Sequence, residues 1–257
     1  MEALYRRYDD RRWVHPDPLE FLYRYEDVRD REIVALVASS LAYGRVKQIL
    51  RSVETVLAEL GPRPGCLVAS SRPGELRRRL ADFRHRFDTG RQVTDMLLGA
   101  RRLVWLYGSL EACFAAGVGE DDPTLRPAMR RFVGLLDPRH RCGHLLPRPA
   151  RGSACKRLWL MLRWLVRRDA VDPGGWNPAW RSRLVVPLDT HMHKIGLELG
   201  FTTRRSADFR TAVDITRSLA AFDAADPTKY DFALTRLGIR DDAGNLPGPL
   251  ARLTKES

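Results

Sequence analysis

Apolar residues recur at helical spacing along most of this sequence, and this spacing constrains the fold more than any other feature. It predicts helices within residues 30–60, with a break at Ala42–Arg45, and further helices over residues 94–116 and 206–222. Only Leu184–Val186 resembles a strand, and no longer stretch alternates apolar with polar residues. We therefore predict an all-α fold.

The chain length suits a single compact unit, residues 1–257, with a sizeable core. Nothing at the N-terminus resembles a signal peptide, and no apolar run reaches the roughly 18 residues of a membrane span. The four cysteines are scattered without a Cys-x-x-Cys pair, which argues against a zinc or iron–sulfur centre and against a disulfide scaffold. We expect a cytoplasmic protein with no metal, no cofactor and no membrane partner.

The charge balance favours a polyanionic partner. Lysine and arginine number 44 against 32 acidic residues, which gives a formal net charge of +12. Nearly all of these cations are arginines, which make bidentate contacts with phosphate. A GC-rich genome is the alternative explanation of the ratio of arginine to lysine, but it does not explain the net charge. The balance therefore points towards nucleic acid.

Lys156 is the first of two residues whose position suggests chemistry. Ser153 is a predicted N-cap, which would place Lys156 third in its helix, where the helix dipole disfavours a cation. Together with Arg151 and Arg157, the dipole would favour the neutral amine. A neutral amine can attack electrophilic carbon and form a Schiff base. The alternative is a surface lysine that contacts a phosphate.

Asp189 is the second such residue. It follows Pro187-Leu188 and precedes a helical pattern, so we predict that it is an N-cap held in the ionised form by backbone N–H groups. An ionised carboxylate there could stabilise a developing positive charge, such as a sugar oxocarbenium ion, whereas the alternative is an ordinary cap. His191 and His193 point to different faces of that helix, which argues against a metal pair, and His191 is a candidate anion contact.

These segments resemble a known family. Gly152–Lys156, followed by a helix and then by Val186–Met192, resembles the helix-hairpin-helix DNA glycosylases, with the 8-oxoguanine DNA glycosylases, including the archaeal type, as the closest branches. Ala35–Leu41 resembles the first core helix of that family. The chain also resembles an uncharacterised bacterial family of unknown function that shares its AYGR, GSACKR and PLDTH motifs, over residues 16 to about 239.

The glycosylase resemblance implies a two-lobed all-α fold with a helix-hairpin-helix element and the catalytic segment in residues 140–200. It implies roles for nine residues: Lys156 as the Schiff-base nucleophile, Asp189 as its assistant, Arg151, Gly152, Ser153 and His191 as phosphate contacts, Tyr43 and Arg45 near a DNA wedge, and Asp231 as a base-reading side chain. Two departures are visible: Pro147–Gly152 replaces the hairpin's Gly-x-Gly, and Leu160 stands where some members have cysteine.

The activity implied by this resemblance is that of a DNA repair enzyme, an N-glycosylase with AP lyase activity that excises an oxidised purine such as 8-oxoguanine. Its partner would be double-stranded DNA with a damaged base, bound by a monomer associated with the nucleoid. Two alternatives remain. One is an N-glycosidase acting on a nucleotide or an RNA base, and the other is a DNA-binding module of the same fold without catalysis.

Overall fold

The computed structural model describes residues 1–239, and within them helices dominate. The α-helices are α1 Glu2–Tyr8, α2 Val28–Ser40, α3 Val46–Leu60, α4 Pro64–Ser70, α5 Pro73–Arg79, α6 Gly90–Tyr107, α7 Leu110–Ala115, α8 Arg126–Leu136, α9 Lys156–Val166, α10 Thr190–Glu198, α11 Phe209–Ala220 and α12 Tyr230–Ile239. A short antiparallel hairpin, β1 Arg84–His85 and β2 Asp88–Thr89, joins α5 to α6. The all-α prediction is confirmed.

Helix α2 lies at the centre of the core. Every residue from Glu32 to Ser40 is buried, because the helix packs against α4 on one side, α9 on another and the 3-10 segment Pro18–Arg24 on a third. A helix that is apolar around most of its circumference can satisfy its surface only in such an interior position. None of the helices in residues 1–239 has the length and apolarity needed to cross a membrane.

One predicted helix is in fact two. Residues 94–116 were expected to form one helix, but α6 ends at Tyr107 and α7 starts at Leu110. Gly108 adopts φ +84, in the left-handed region, and the Ser109 hydroxyl then accepts a hydrogen bond from the Ala112 N–H. Leu184–Val186, the short strand-like stretch of the sequence, is extended but pairs with no strand in the described part of the chain.

The connection that leads into α9 runs from Asp137 to Cys155. It contains two short 3-10 segments, Gly143–Leu145 and Pro149–Arg151, rather than a tight turn between two α-helices. This is the position at which the glycosylase resemblance implies a hairpin. Pro147 and Pro149 suit the extended course of this connection, because proline cannot donate the backbone hydrogen bonds of a continuous helix. The division of the chain into two lobes stays a prediction.

A buried ionic network joins α9 to the C-terminal helices. Arg163 in α9 and Arg167, the residue directly after the helix, both bind Asp172 in the following loop. Arg163 also binds Asp231 on α12, and Arg167 binds Asp169 and, at 2.9 Å, Asp226. Both arginines are almost completely buried. Such groups are tolerated in a protein interior only when their charges are paired and hydrogen-bonded.

Replacing Arg167 with methionine should lower the free energy of unfolding by about 3–5 kcal/mol, because it leaves several carboxylates buried without their cation. The matched control is Arg6→Met, which removes an exposed 3.8 Å pair with Glu2 and should cost about 1 kcal/mol or less. Urea unfolding at neutral pH measures both variants. Equal losses in the two variants would contradict the structural importance of this network.

Candidate active site

A cleft of about 560 Å³ opens where several elements converge. Its walls come from the turn at Pro16–Pro18, the link between α2 and α3, the first turns of α9 and α10, and α12. Five of the nine residues singled out from the sequence line this cleft, namely Tyr43, Lys156, Asp189, His191 and Asp231. Residues separated by almost two hundred positions in the chain are thus brought to one place.

Lys156 is the first residue of α9, not the third. The helix is capped by Cys155, whose φ of +49 lies in the left-handed region, and the predicted N-cap Ser153 therefore lies outside the helix. The Ser153 hydroxyl instead accepts a hydrogen bond from the Cys155 N–H at 3.2 Å. Lys156 still lies at the positive end of the helix dipole, where the dipole disfavours a cation.

Lys156 and Asp189 form an ion pair at the cleft wall. Lys156 Nζ lies 3.0 Å from Asp189 Oδ2, and the two side chains are 34% and 21% exposed. The other carboxylate oxygen, Oδ1, accepts a hydrogen bond of 2.9 Å from the Met192 N–H. This bond confirms the predicted N-cap role of Asp189. One carboxylate therefore caps α10 and contacts the amine of α9 at the same time.

The electrostatics of Asp189 keep it ionised. Burial alone would raise the pKa of its carboxyl group, but the Lys156 ammonium and the Met192 N–H outweigh this effect, and the net pKa lies below the ordinary value. The site thus holds a negative charge directly beside the amine that it contacts. A cation that develops within about 4 Å of this carboxylate would be stabilised by it.

Arg157, the neighbour of Lys156, serves a structural purpose. Its guanidinium donates to the Ser40 carbonyl at 2.7 Å and to the Leu145 and His144 carbonyls. Ser40 is the last residue of α2. Arg157 thereby ties the end of α2 to the start of α9, which fixes the position of Lys156 relative to Tyr43.

Tyr43 forms part of the cleft wall and is held on both sides. Its hydroxyl donates to the His85 carbonyl and to Asp88, while its ring packs edge-on against His85 and His144 at centroid distances of 4.6 Å. Burial, reinforced by the Asp88 carboxylate, raises the pKa of the Tyr43 phenol. Tyr43 is therefore a neutral, rigid aromatic surface. Arg45 is exposed at the start of α3 and is not among the residues that line the cleft in the described part of the chain.

The two histidines of α10 have different surroundings. His191 is exposed and lines the cleft. His193 points away, and its Nε2–H donates to the Arg204 carbonyl at 2.8 Å. Within residues 1–239, no group of three or more His, Cys, Asp or Glu side chains is arranged to hold a metal ion.

The segment predicted to bind phosphate ahead of Lys156 packs partly against α11. The Gly152 carbonyl accepts a hydrogen bond from the Phe209 N–H at 3.1 Å, and Ser153 pairs with Asp208 in an isolated antiparallel bridge. Arg151 ends the 3-10 segment Pro149–Arg151. Gly152 and Ser153 are absent from the cleft lining found within residues 1–239, and the side chain of Arg151 lies outside the described ones. Phosphate binding by this segment stays a prediction.

Asp231 lies at the inner end of the cleft. It is 3% exposed and forms an ion pair with Arg163, while its other oxygen, Oδ1, is buried without a hydrogen-bond partner in the part of the chain that the structure describes. Burial raises the pKa of the Asp231 carboxyl group, with Arg163 acting in the opposite direction and Asp189 in the same one. A buried acceptor without a partner is costly, so the geometry suits a ligand that offers an N–H or O–H group.

The sequence reasoning missed Arg163. This residue lines the cleft, binds Asp231 and belongs to the buried network described above. A signal was available, because Arg163 interrupts the otherwise apolar run Leu158–Val166 at a position whose neighbours face the core. A charged residue on the buried face of a helix normally has a partner of opposite charge. The apolar pattern around Arg163 does not identify Asp231 as its partner.

The ionised Asp189 should make a pH-dependent contribution to stability. A depressed carboxyl pKa means that this contribution is present above the unfolded-state value near 3.9 and disappears as the pH falls through the folded-state value. Asparagine retains the cap but loses the charge, so Asp189→Asn should cost about 0.5–1 kcal/mol at pH 7, since the pair is partly exposed, and less at pH 3. Urea unfolding at both pH values tests this; a penalty that does not change with pH would contradict it.

Comparison with known proteins places the chain in a family but gives no activity. The family described as protein of unknown function (DUF2400) matches residues 17–240, which include every residue that lines the cleft except Pro16. Comparisons with curated proteins and with solved structures found no match. The chain therefore belongs to the DUF2400 family of proteins of unknown function.

Proposed function

We propose that this protein is a DNA glycosylase with AP lyase activity, which removes a damaged base through a Schiff base on Lys156. The observation that carries the proposal is the 3.0 Å contact between Lys156 Nζ and Asp189 Oδ2 at the wall of a cleft large enough for a nucleobase. A lysine at the positive end of a helix dipole, beside a carboxylate that stays ionised, is a suitable arrangement for nucleophilic attack on a sugar.

The proposed reaction starts with loss of a proton from the Lys156 ammonium to solvent, while Asp189, whose pKa is lowered, stays ionised. The free amine attacks C1′ of the damaged nucleotide, the N-glycosidic bond breaks, and its electron pair leaves with the base, which then takes up a proton. The ionised Asp189 stabilises the positive charge that develops on the sugar. Opening of the sugar ring, in which a proton passes from the attacking nitrogen to O4′, yields an iminium ion between Lys156 and C1′. Loss of a proton from C2′ and departure of the 3′ phosphate then cleave the strand.

The inner part of the cleft supports recognition of a base. Arg163 holds one oxygen of Asp231, and the buried second oxygen is available to accept an N–H from a ligand. Leu160 and Phe232 provide apolar surface in the same cleft. A base must leave the duplex stack to reach this depth, and a purine that offers N–H groups on its edge fits such an acceptor. An oxidised purine, such as 8-oxoguanine, is our proposed substrate.

The charge of the chain supports a DNA substrate over a free nucleotide. The excess of 12 positive charges exceeds what a small ligand requires, and the exposed Arg45 lies between Gly44 and Val46, which line the cleft. Binding to a duplex through several phosphates should weaken steeply as the salt concentration rises, whereas the activity of a nucleotide hydrolase would change little. The salt dependence of activity thus separates DNA from the alternative substrate of a nucleotide or RNA base.

Replacing Lys156 with glutamine should abolish the covalent intermediate. Duplexes carrying 8-oxoguanine and other lesions are incubated with the protein and borohydride, which reduces the iminium ion to a stable amine. We expect an adduct with the wild-type protein and a decrease of about a thousandfold or more with Lys156→Gln, as is typical for loss of a nucleophile.

The matched control for this experiment is Lys194→Gln. Lys194 lies on α10, is 78% exposed and forms an ion pair with Glu198, so its replacement should leave adduct formation unchanged. An undiminished adduct with Lys156→Gln would refute the assignment of Lys156. No adduct with wild type across the whole panel, combined with tight binding to damaged duplex, would instead identify a DNA-binding module without catalysis.

A further inference from the structure

Two adjoining pockets open between α5, α6 and the connection that follows α8. Their volumes are about 450 and 430 Å³, and both are lined by Arg77, Asp95 and Arg141, so together they form one groove. Within residues 1–239, this groove shares no lining residue with the cleft that holds Lys156 and Asp189. The chemistry proposed above therefore makes no use of it. We call it the arginine groove.

The arginine groove carries an excess of positive charge. Its lining includes five exposed arginines, against two aspartates in the described part of the chain: Arg77, Arg91, Arg102, Arg139 and Arg141. None of the five forms an ion pair within residues 1–239, whereas Arg79, also in α5, pairs with Glu75 at 3.1 Å. Guanidinium groups that lack a carboxylate partner are suited to bidentate contacts with phosphate oxygens.

The two aspartates leave these guanidinium groups unpaired. The Asp137 carboxylate accepts hydrogen bonds from the Arg141 N–H at 2.7 Å and from the Cys142 N–H at 3.0 Å. It thereby fixes the backbone of the loop that carries Arg139 and Arg141. Asp95 is half-buried on α6 and forms no ion pair in the described residues, so its oxygens can accept an N–H from the edge of a nucleobase.

The arginine groove follows one face of α6. Arg91, Asp95 and Arg102 line it at spacings of four and seven residues, which a helix places on the same side. A rise of 1.5 Å per residue separates Arg91 from Arg102 by about 16 Å along the axis. A single phosphate ion would contact only part of this length. The groove therefore suits a ligand that carries several phosphates in a row.

The same face of α6 continues into two exposed apolar residues. Trp105 and Leu106, 72% and 68% exposed, follow Arg102 by three and four residues and so lie beside it on the helix surface. The Arg101 guanidinium lies 4.8 Å from the centre of the Trp105 ring and is itself anchored on the Ala69 carbonyl of α4 at 3.3 Å. A cationic groove that ends at an exposed aromatic ring is typical of proteins that bind single-stranded nucleic acid.

We propose that the arginine groove binds a single strand of DNA, with its phosphates on the arginines and an unpaired base stacked on Trp105. The choice of DNA rests on the function proposed above. The choice of a single strand rests on Trp105, because the bases of a duplex are already stacked on one another and offer no free face. The groove thus provides a second DNA contact, separate from the cleft in which the chemistry takes place.

The first test uses a fluorescein-labelled oligomer of about 12 thymidines, a length within the site sizes of single-strand-binding proteins. It contains no lesion, so binding needs no catalysis. Anisotropy is measured over a range of salt concentrations, because each phosphate contact contributes about 0.7 to the slope of log K against log salt. The double variant Arg91→Gln/Arg141→Gln should lower this slope by about 1.4 and weaken binding about tenfold or more.

The matched control is Arg7→Gln/Arg181→Gln. It removes the same charge from two exposed arginines, one in α1 and one in the 3-10 segment Pro178–Arg183, neither of which lines the groove described above. The slope should stay as in wild type and the affinity within about twofold, because distant exposed charges are screened by salt. Equal losses in the two double variants would overturn the proposal, since binding would then depend on overall charge.

Trp105 gives an independent readout of stacking. The thymidine oligomer should quench the tryptophan fluorescence of the wild-type protein. Trp105→Phe should lose this quenching but keep the affinity within about twofold, because phenylalanine can still stack on a base, whereas Trp105→Ala should bind about tenfold more weakly. An unchanged affinity of Trp105→Ala would overturn the proposed stacking.

Two other ligands test the identity of the occupant. A uridine oligomer, which is RNA, should bind no more tightly than the thymidine oligomer, and tighter binding of RNA would overturn the assignment to DNA. Inorganic triphosphate should compete only weakly, because it cannot reach Trp105 while it contacts the far arginines. Competition by triphosphate as strong as that by unlabelled oligomer would overturn strand binding in favour of a small polyphosphate.

The variant Lys156→Gln separates this proposal from the proposed function. It should bind the thymidine oligomer within about twofold of wild type, because the groove lies outside the cleft. A large loss of binding would place the strand in the cleft and overturn the groove. Absence of a borohydride adduct with wild type across the lesion panel, with oligomer binding intact, would refute the lysine chemistry and leave the groove supported.

Discussion

The buried contacts of Arg163 and Arg167 with their aspartates set the geometry on which the rest of the site depends. The two arginines hold α9 against the loop that carries Asp172 and against α12. Since Lys156 begins α9 and Asp231 belongs to α12, the same contacts fix the distance between the Lys156 amine and the Asp231 carboxylate. Buried ion pairs of this kind contribute little net stability compared with apolar packing, but they tolerate few alternative arrangements.

Two carboxylates in one cleft have opposite electrostatic surroundings. The pKa of Asp189 is lowered, because its lysine partner and a helix N–H outweigh burial, whereas burial dominates at Asp231 and raises its pKa. Each negative charge also disfavours the other. Pairs of titratable groups whose pKa values are pushed apart are typical of sites that assign different tasks to them. In the function that we propose, Asp189 stabilises charge and Asp231 recognises the ligand.

Local signals in the sequence predicted local structure well. The cap at Asp189 followed from its proline and leucine neighbours and the helical pattern after it, and the glycine of the Ala42–Arg45 segment marked the break between α2 and α3. The start of α9 was misplaced, because the left-handed conformation of Cys155 is not a preference that cysteine reveals in sequence. Gly108-Ser109 was visible as a break and cap, but the apolar spacing on either side masked it.

The spacing of residues in the sequence could not predict contacts between residues that are far apart in the chain. The ion pair of Lys156 with Asp189 was expected only because a family resemblance linked the two motifs, and the partnership of Arg163 with Asp231 was not expected at all. The hairpin at Arg84–Thr89 was overlooked because its strands have two residues each, too few for an alternating pattern.

The most direct test of the central claim is the location of the covalent bond. The complex trapped with borohydride on a duplex with a damaged base is digested with trypsin and analysed by mass spectrometry. Since trypsin does not cleave after an alkylated lysine, the account predicts a nucleotide adduct on the peptide Gly152–Arg157, with the mass attached to Lys156. An adduct on another amine, such as Lys194 or the N-terminus of Met1, would contradict it.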